Sequence, residues 1–276
     1  MKFRWLLALA AALLSALAHA DTEWLQLPAT ARRPALSLFW SPADTARRPA
    51  VVALHGCGGL FRKDGHTFDT RFANYTDRLH DMGFHVLLPD SFGSRGLGSL
   101  CEELNAARSV YVADRRLDVL EALAWLRARP DVDPERIALL GWSNGASTAL
   151  MVMDSRWPPS PPPLAAVALF YPGCSASRGG EPKNVGALLM LLGGADDMTP
   201  PEPCEQLAAR WQRRGHRVEL EVYPGAFHGF DGDGALRVRP NIKGGMHQGN
   251  DPAAAAASAT RLEGFLRRQL HLPAQP

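Results

Sequence analysis

The chain has 276 residues, with 30 basic and 28 acidic side chains and 46% hydrophobic residues. That is enough apolar material for one substantial core, and it argues against long disordered stretches. No block of like charge stands out, so nucleic acid and anionic membrane surfaces are poor candidates as partners.

Residues 1–20 read as a cleavable signal peptide. Lys2 and Arg4 precede an apolar run from Trp5 to Leu17, and Ala18-His19-Ala20 forms a small-residue cleavage site before Asp21. The run is short for a membrane span and no second candidate follows it. The predicted mature protein is therefore periplasmic or secreted, a single α/β domain over residues 21–276 with no stable membrane association. Without the leader, acidic and basic side chains are equal in number. Export into an oxidising compartment makes Cys57, Cys101, Cys174 and Cys204 candidates for two disulfides, with three possible connectivities. No Cys-x-x-Cys spacing suggests a metal, and nothing calls for an organic cofactor.

The mature chain opens with two weak strand candidates, Glu23 to Leu27 and Ala35 to Trp40, expected as an antiparallel edge. Pro42 to Pro49 reads as a polar turn. Ala50-Val51-Val52-Ala53-Leu54 is a continuous apolar run, as in a strand covered on both faces, and it ends in His55-Gly56-Cys57-Gly58-Gly59. A helix from about Phe68 to Met82 is stopped by Gly83. Phe84 to Leu88 is the next strand, opening into a loop that runs through Cys101. Apolar residues at helical spacing from Ala107 to Arg129 (Val112, Leu117, Leu120, Leu123, Leu126) predict a second helix.

Arg136 to Leu140 is a strand, and a helix follows from Asn144 to about Asp154. A proline-dense connector runs from Trp157 to Pro163. Strands are expected at Ala165 to Phe170, Ala187 to Leu192 and Arg217 to Tyr223, with helices at Pro203 to Arg213 and Pro252 to Leu270. Alternating strands and helices imply a mostly parallel sheet covered on both faces, whose chemistry lies on loops at the carboxyl ends of the strands.

Four such loops carry the candidate residues. Gly141-Trp142-Ser143-Asn144-Gly145 joins a strand to a helix, and small residues on both sides of a serine let the backbone double back and expose the hydroxyl. Gly193-Gly194-Ala195-Asp196-Asp197 places two carboxylates past a strand, and Ala226-Phe227-His228-Gly229-Phe230 places a histidine past the last one. A serine hydroxyl needs a base to take its proton, and the base needs a carboxylate to set its tautomer. The order Ser143, Asp196, His228 suits that division of labour. The backbone N–H groups of Asn144 and Cys57 would face a developing oxyanion. Taken singly, each residue also has a plain structural role: Ser143 as a helix cap, Asp196 as a turn residue, His228 as a loop histidine. Four loops in the right order favour the chemical reading. His55 is expected to be structural, and His66, His80, His85, His216, His247 and His271 have no assigned partner.

The chain resembles the dienelactone hydrolase family of the α/β-hydrolase superfamily. The likeness runs from about Leu36 to Leu270 and rests on His55-Gly56-x-Gly58-Gly59, Gly141-x-Ser143-x-Gly145, Gly193-x-x-Asp196-x-x-x-Pro200 and His228-Gly229-Phe230. It implies an α/β-hydrolase fold with Ser143, Asp196 and His228 on the family's triad, and the segment between Tyr171 and Gly186 has room for a loop but not for a lid domain. The spacing from Gly193 and to Pro200 favours Asp196 over Asp197. The namesake enzymes carry a cysteine nucleophile where this chain has serine, which points to a general ester or lactone hydrolase.

With the predicted strands as neighbours, Cys57 would face Cys101 and Cys174 would face Cys204 at one end of the sheet. The cleft is expected to be open and bordered by Trp142, Tyr171, Phe92, Met198 and Phe227, with Trp142 and Tyr171 contacting substrate. Arg95 would bind a substrate carboxylate or pair with a surface acid. The expected substrate is a small ester or lactone. The alternatives are an acyl-peptidase and a non-catalytic binding protein on the same scaffold. Oligomeric state leaves no mark on the sequence.

Overall fold

Side chains on successive residues of a strand point to opposite faces, so an apolar run is stable only between two helical layers. The computed structural model describes residues 22–103, 107–177, 179–239 and 245–272 and is built on that arrangement. The predicted leader lies outside the described residues. Strands β1 (Glu23–Leu27), β2 (Leu36–Ser41), β3 (Arg48–Leu54), β4 (His85–Asp90), β5 (Val132–Trp142), β6 (Ala166–Phe170), β7 (Leu188–Gly193) and β8 (Val218–Tyr223) form one sheet. Its order is β1-β2-β4-β3-β5-β6-β7-β8. β2 runs antiparallel to β1 and β4, and the remaining neighbours pair in parallel.

The helices are α1 (Thr70–Asp81), α2 (Val112–Arg127), α3 (Asn144–Met153), α4 (Glu202–Arg213) and α5 (Pro252–Gln269). Ala50, Val52, Ile137, Leu139, Val167 and Met190 face the layer of α2, α3 and α4, where Leu123, Leu150 and Leu207 meet them. Their strand neighbours Val51, Ala53, Ala138, Leu140, Ala168 and Leu191 face α1 and α5 through Phe72, Leu79, Phe265 and Leu266. Gly83 ends α1 at φ +82° and Gly215 follows α4 at φ +85°, a region open to glycine at little steric cost. Among its described residues, the segment between β6 and β7 holds only a short 3-10 turn, Ser175–Ser177.

Several elements differ from expectation. The predicted polar turn at Pro42 to Pro49 ends early, because the N–H of Arg48 bonds the carbonyl of Asp131 at 2.9 Å and starts β3 there. Strand β5 likewise begins at Val132, pairing with Arg48 across an irregular register. Helix α2 starts at Val112 rather than near Ala107, because Tyr111 is extended and its N–H bonds the Asp114 carboxylate at 2.9 Å. Its first turns bury Arg115, Arg116 and Asp118 while Leu117 is only half-buried, so the apolar spacing misjudges which face is inward. An antiparallel pair of β9 (Arg237–Arg239) and β10 (Met246–Gln248) is absent from the sequence expectation; three-residue strands show no periodicity.

Candidate active site

The turn from β5 into α3 is sterically set by its glycines. A Cβ on Gly145 would lie 2.2 Å from the Leu54 carbonyl oxygen, and one on Gly141 would lie 2.8 Å from the Ala146 nitrogen. Ser143 between them has φ 52° and ψ −115°, a conformation costing about 1–3 kcal/mol for a residue with a side chain. Its side chain makes no capping bond to α3. The hydroxyl oxygen instead lies 2.9 Å from Nε2 of His228.

His228 follows β8, and its Nδ1 lies 2.8 Å from Oδ2 of Asp196, which follows β7. Both side chains are buried, at 3% and 0% exposure, so bulk water does not compete for this contact. Asp196 also serves its own turn: Oδ1 accepts the N–H groups of Met198 (2.9 Å) and Thr199 (2.8 Å). The turn role and the histidine contact therefore coexist on different oxygens. Asp197 points elsewhere, accepting from the backbone N–H of His247 and lying 2.8 Å from its Nδ1.

The β3 loop closes on the same turn. A Cβ on Gly56 would sit 3.4 Å from the Trp142 carbonyl oxygen and 3.6 Å from Cβ of Ser143. Cys57 and Asn144 thus stand on two backbone segments that meet beside Ser143. Asn144 is the first residue of α3, whose earliest N–H groups have no acceptor within the helix. His55 is wholly buried; burial and the neighbouring Arg115 push its imidazole well below the ordinary range and keep it neutral. Both expected disulfides are formed. Cys57–Cys101 has a Cα separation of 4.8 Å and Cys174–Cys204 one of 5.1 Å. The N–H of Leu100 adds a bond to the Cys57 carbonyl at 2.8 Å.

A cleft of about 690 Å³ opens over Ser143 and His228, with Trp142, Tyr171 and Met198 among its lining. Trp142 is held from behind, its indole N–H donating to Asp231 at 2.7 Å and its ring stacked on Phe170. The Tyr171 phenol donates to the other oxygen of Asp231, and its ring centroid lies 4.6 Å from that of His228. Arg95 departs from the carboxylate-binding expectation. Its guanidinium donates to both oxygens of Asp118 (2.8 and 3.1 Å), a buried acid rather than a surface one, and Arg95 does not line this cleft. Phe92 lines a neighbouring depression instead, and Phe227 stacks on His247.

Sequence reasoning missed several residues here. Thr199 places its hydroxyl 2.9 Å from Asp196 Oδ2 and 3.1 Å from His228 Nδ1. Its place in the Asp196 turn could have flagged it. Asp231, three residues past His228, gathers Trp142, Tyr171 and Arg71 (3.3 Å). The cationic groups lining the cleft are Arg62, Lys63, Arg71, Arg237 and Arg239. Among the described residues, no cluster of His, Cys, Asp and Glu could hold a metal ion.

Known proteins place this chain in a family. Esterase 2 of Thermogutta terrifontis, phosphorylated by paraoxon, superposes with a TM-score of 0.65 at 23% identity, covering 93% of this chain and 97% of that one. The propionate-bound form of the Thermogutta terrifontis esterase gives a TM-score of 0.62 at 21% identity, covering 95% and 98%. At such identities the likeness establishes the α/β-hydrolase fold. Acylamino-acid-releasing enzyme 1 of Oryza sativa is 23% identical over 244 residues, 73% of this chain and 30% of that protein. The chain thus spans about a third of the length of the curated relatives it matches first. A profile of the dienelactone hydrolase family matches residues 37–270, nearly all of the described chain, and the protein belongs to that family.

Proposed function

We propose that the protein is a serine hydrolase that cleaves small carboxylic esters or lactones through an acyl-enzyme on Ser143. The observation that carries this reading is the chain of contacts from Ser143 Oγ to His228 Nε2 (2.9 Å) and from His228 Nδ1 to Asp196 Oδ2 (2.8 Å). His228 takes the hydroxyl proton as Oγ attacks the carbonyl carbon, and Asp196 holds the tautomer and stabilises the imidazolium. The carbonyl electron pair moves onto oxygen, where the N–H groups of Cys57 and Asn144 receive it. Collapse of the tetrahedral intermediate expels the alkoxide, which takes the proton from His228. Water then repeats the sequence on the acyl-enzyme, releasing the acid and restoring Ser143. Trp142 and Tyr171, expected to contact substrate, are 0% and 2% exposed and, fixed by Asp231, brace the floor of the cleft from within the core instead.

A serine-directed fluorophosphonate should label the wild type and leave Ser143→Ala unlabelled. Hydrolysis of p-nitrophenyl acetate should fall by about 10⁴-fold or more in Ser143→Ala and His228→Ala. Equal labelling of the wild type and Ser143→Ala would leave only a binding scaffold. The rice relatives favour acyl-peptide cleavage as a second reading. Faster turnover of an N-acetyl-amino-acid anilide than of any ester would select it. The leader-like residues 1–20 and the two disulfides support export to the periplasm or medium. Among the described residues, no helix is long and apolar enough to cross a membrane.

A further inference from the structure

We propose that Arg115 is a positioning residue for the oxyanion hole, tying together the two backbone segments that carry its donors. The inference rests on the ester-hydrolase reading above and adds to it a residue distant from Ser143 in sequence. Arg115 lies on α2 and is 1% exposed. One guanidinium nitrogen donates to the side-chain oxygen of Asn144 (2.5 Å), and the other donates to the carbonyl of His55 (2.8 Å). Asn144 carries one oxyanion N–H itself. The His55 carbonyl lies two residues ahead of Cys57, which carries the other.

These segments come from different parts of the chain, the first turn of α3 and the end of β3. Elsewhere they meet in close packing: a Cβ on Gly145 would fall 2.5 Å from the His55 carbonyl oxygen. Packing sets how near they come, but it sets direction weakly. A planar guanidinium with two parallel-facing donors sets direction as well, and a lysine ammonium cannot span both acceptors in that geometry.

A buried cation is costly unless its charge is countered. Asp118 and Asp90 supply the countercharge, and Arg95 shares Asp118. The Phe92 ring lies under the guanidinium at 5.0 Å. His55, next to it, is held neutral. Arg115 thus directs its two bonds at the two segments flanking Ser143, with its charge countered by Asp118 and Asp90.

The test uses Arg115→Lys, Asn144→Ala and the double variant, assayed with p-nitrophenyl acetate and by the rate of fluorophosphonate labelling. Asn144→Ala keeps the backbone N–H and removes only the side-chain anchor, so it serves where Arg115→Lys folds poorly. Outright loss of an oxyanion donor costs about 10²–10³ in kcat, and a misdirected donor should cost about 10- to 100-fold. The expected result is that loss in kcat, with KM within about 3-fold and a parallel fall in labelling rate. The double variant should be no worse than Arg115→Lys alone, since one bond is removed twice. Unchanged kcat in folded Asn144→Ala and Arg115→Lys overturns the proposal, as do losses that multiply. A wild type that neither turns over ester nor labels overturns the underlying hydrolase reading instead.

Discussion

Glycines around Ser143 are not interchangeable, because their missing side chains face different neighbours. Gly145 abuts the carbonyls of Leu54, the last residue of β3, and His55, just past it, which the packed sheet holds in place. Gly58, in the loop carrying Cys57, has nothing within 4 Å of a built Cβ. Gly145→Ala should therefore lower the melting temperature sharply or prevent folding, while Gly58→Ala should leave it within a degree or two. Thermal melts of the two variants decide this; a stable, active Gly145→Ala would mean that the β3 end can move away from the elbow. Asp196 makes the same point for polar atoms, one oxygen closing its turn and the other meeting His228.

At the level of elements, the carboxyl ends of β3, β5, β7 and β8 carry the candidate site, and two disulfides staple the loops around it. Cys57–Cys101 spans 44 residues and joins the loops after β3 and β4. Cys174–Cys204 spans 30 residues and joins the loop after β6 to the first turn of α4. Closing loops of these lengths in the unfolded chain corresponds to about 4 kcal/mol each. Paired serine substitutions at either bridge should move the urea midpoint down by comparable amounts. Their kinetics should differ. Cys57→Ser with Cys101→Ser frees the loop proposed to carry an oxyanion donor and should lower kcat well before the midpoint, whereas the other pair should leave kcat within a few-fold. Equal kinetic losses from the two pairs would show that Cys57 has no special tie to the reaction.

Across the whole molecule, aspartates paired with cations set the response to acid. The Arg48 side chain lowers Asp44. Burial alone would raise Asp131, Asp133 and Asp197, but hydrogen bonds from Arg129, Arg136 and His247 prevail and hold all three low. Each then binds fewer protons in the folded state than unfolded near pH 4. Their stabilisation is present above the ordinary aspartate range and is lost as pH falls through it. Asp90 has the opposite sign, since burial raises it, and one such group offsets only part of the trend. The melting temperature should therefore drop between about pH 5 and pH 3. Asp131→Asn should make the drop shallower; an unchanged slope would rule out its pairing with Arg129 as a contributor.

The fold class was legible because it depends on period and order. Apolar runs at β3, β5, β6 and β7 can be buried only between two layers, whatever those layers contain. The residues of the Ser143 turn were legible for a similar reason, since a sharp strand-to-helix bend restricts its own neighbours. Partners distant along the chain were not. Asp196 and Asp197 are adjacent and chemically alike; only the family motif's spacing separated them in the sequence, and the path of the β7 loop turns one toward His228 and the other toward His247. Arg95 reads as a ligand for a substrate carboxylate or a partner of a surface acid until α2 brings the buried Asp118 against it. Arg115 sits in a helix whose apolar spacing suggested a different inward face, and its value comes from two acceptors, at His55 and Asn144, that lie 60 and 29 residues away. Local sterics and periodicity are written into neighbouring residues. Which polar group satisfies which is settled by desolvation in the packed core, where every buried donor and charge must find whatever the topology has placed beside it.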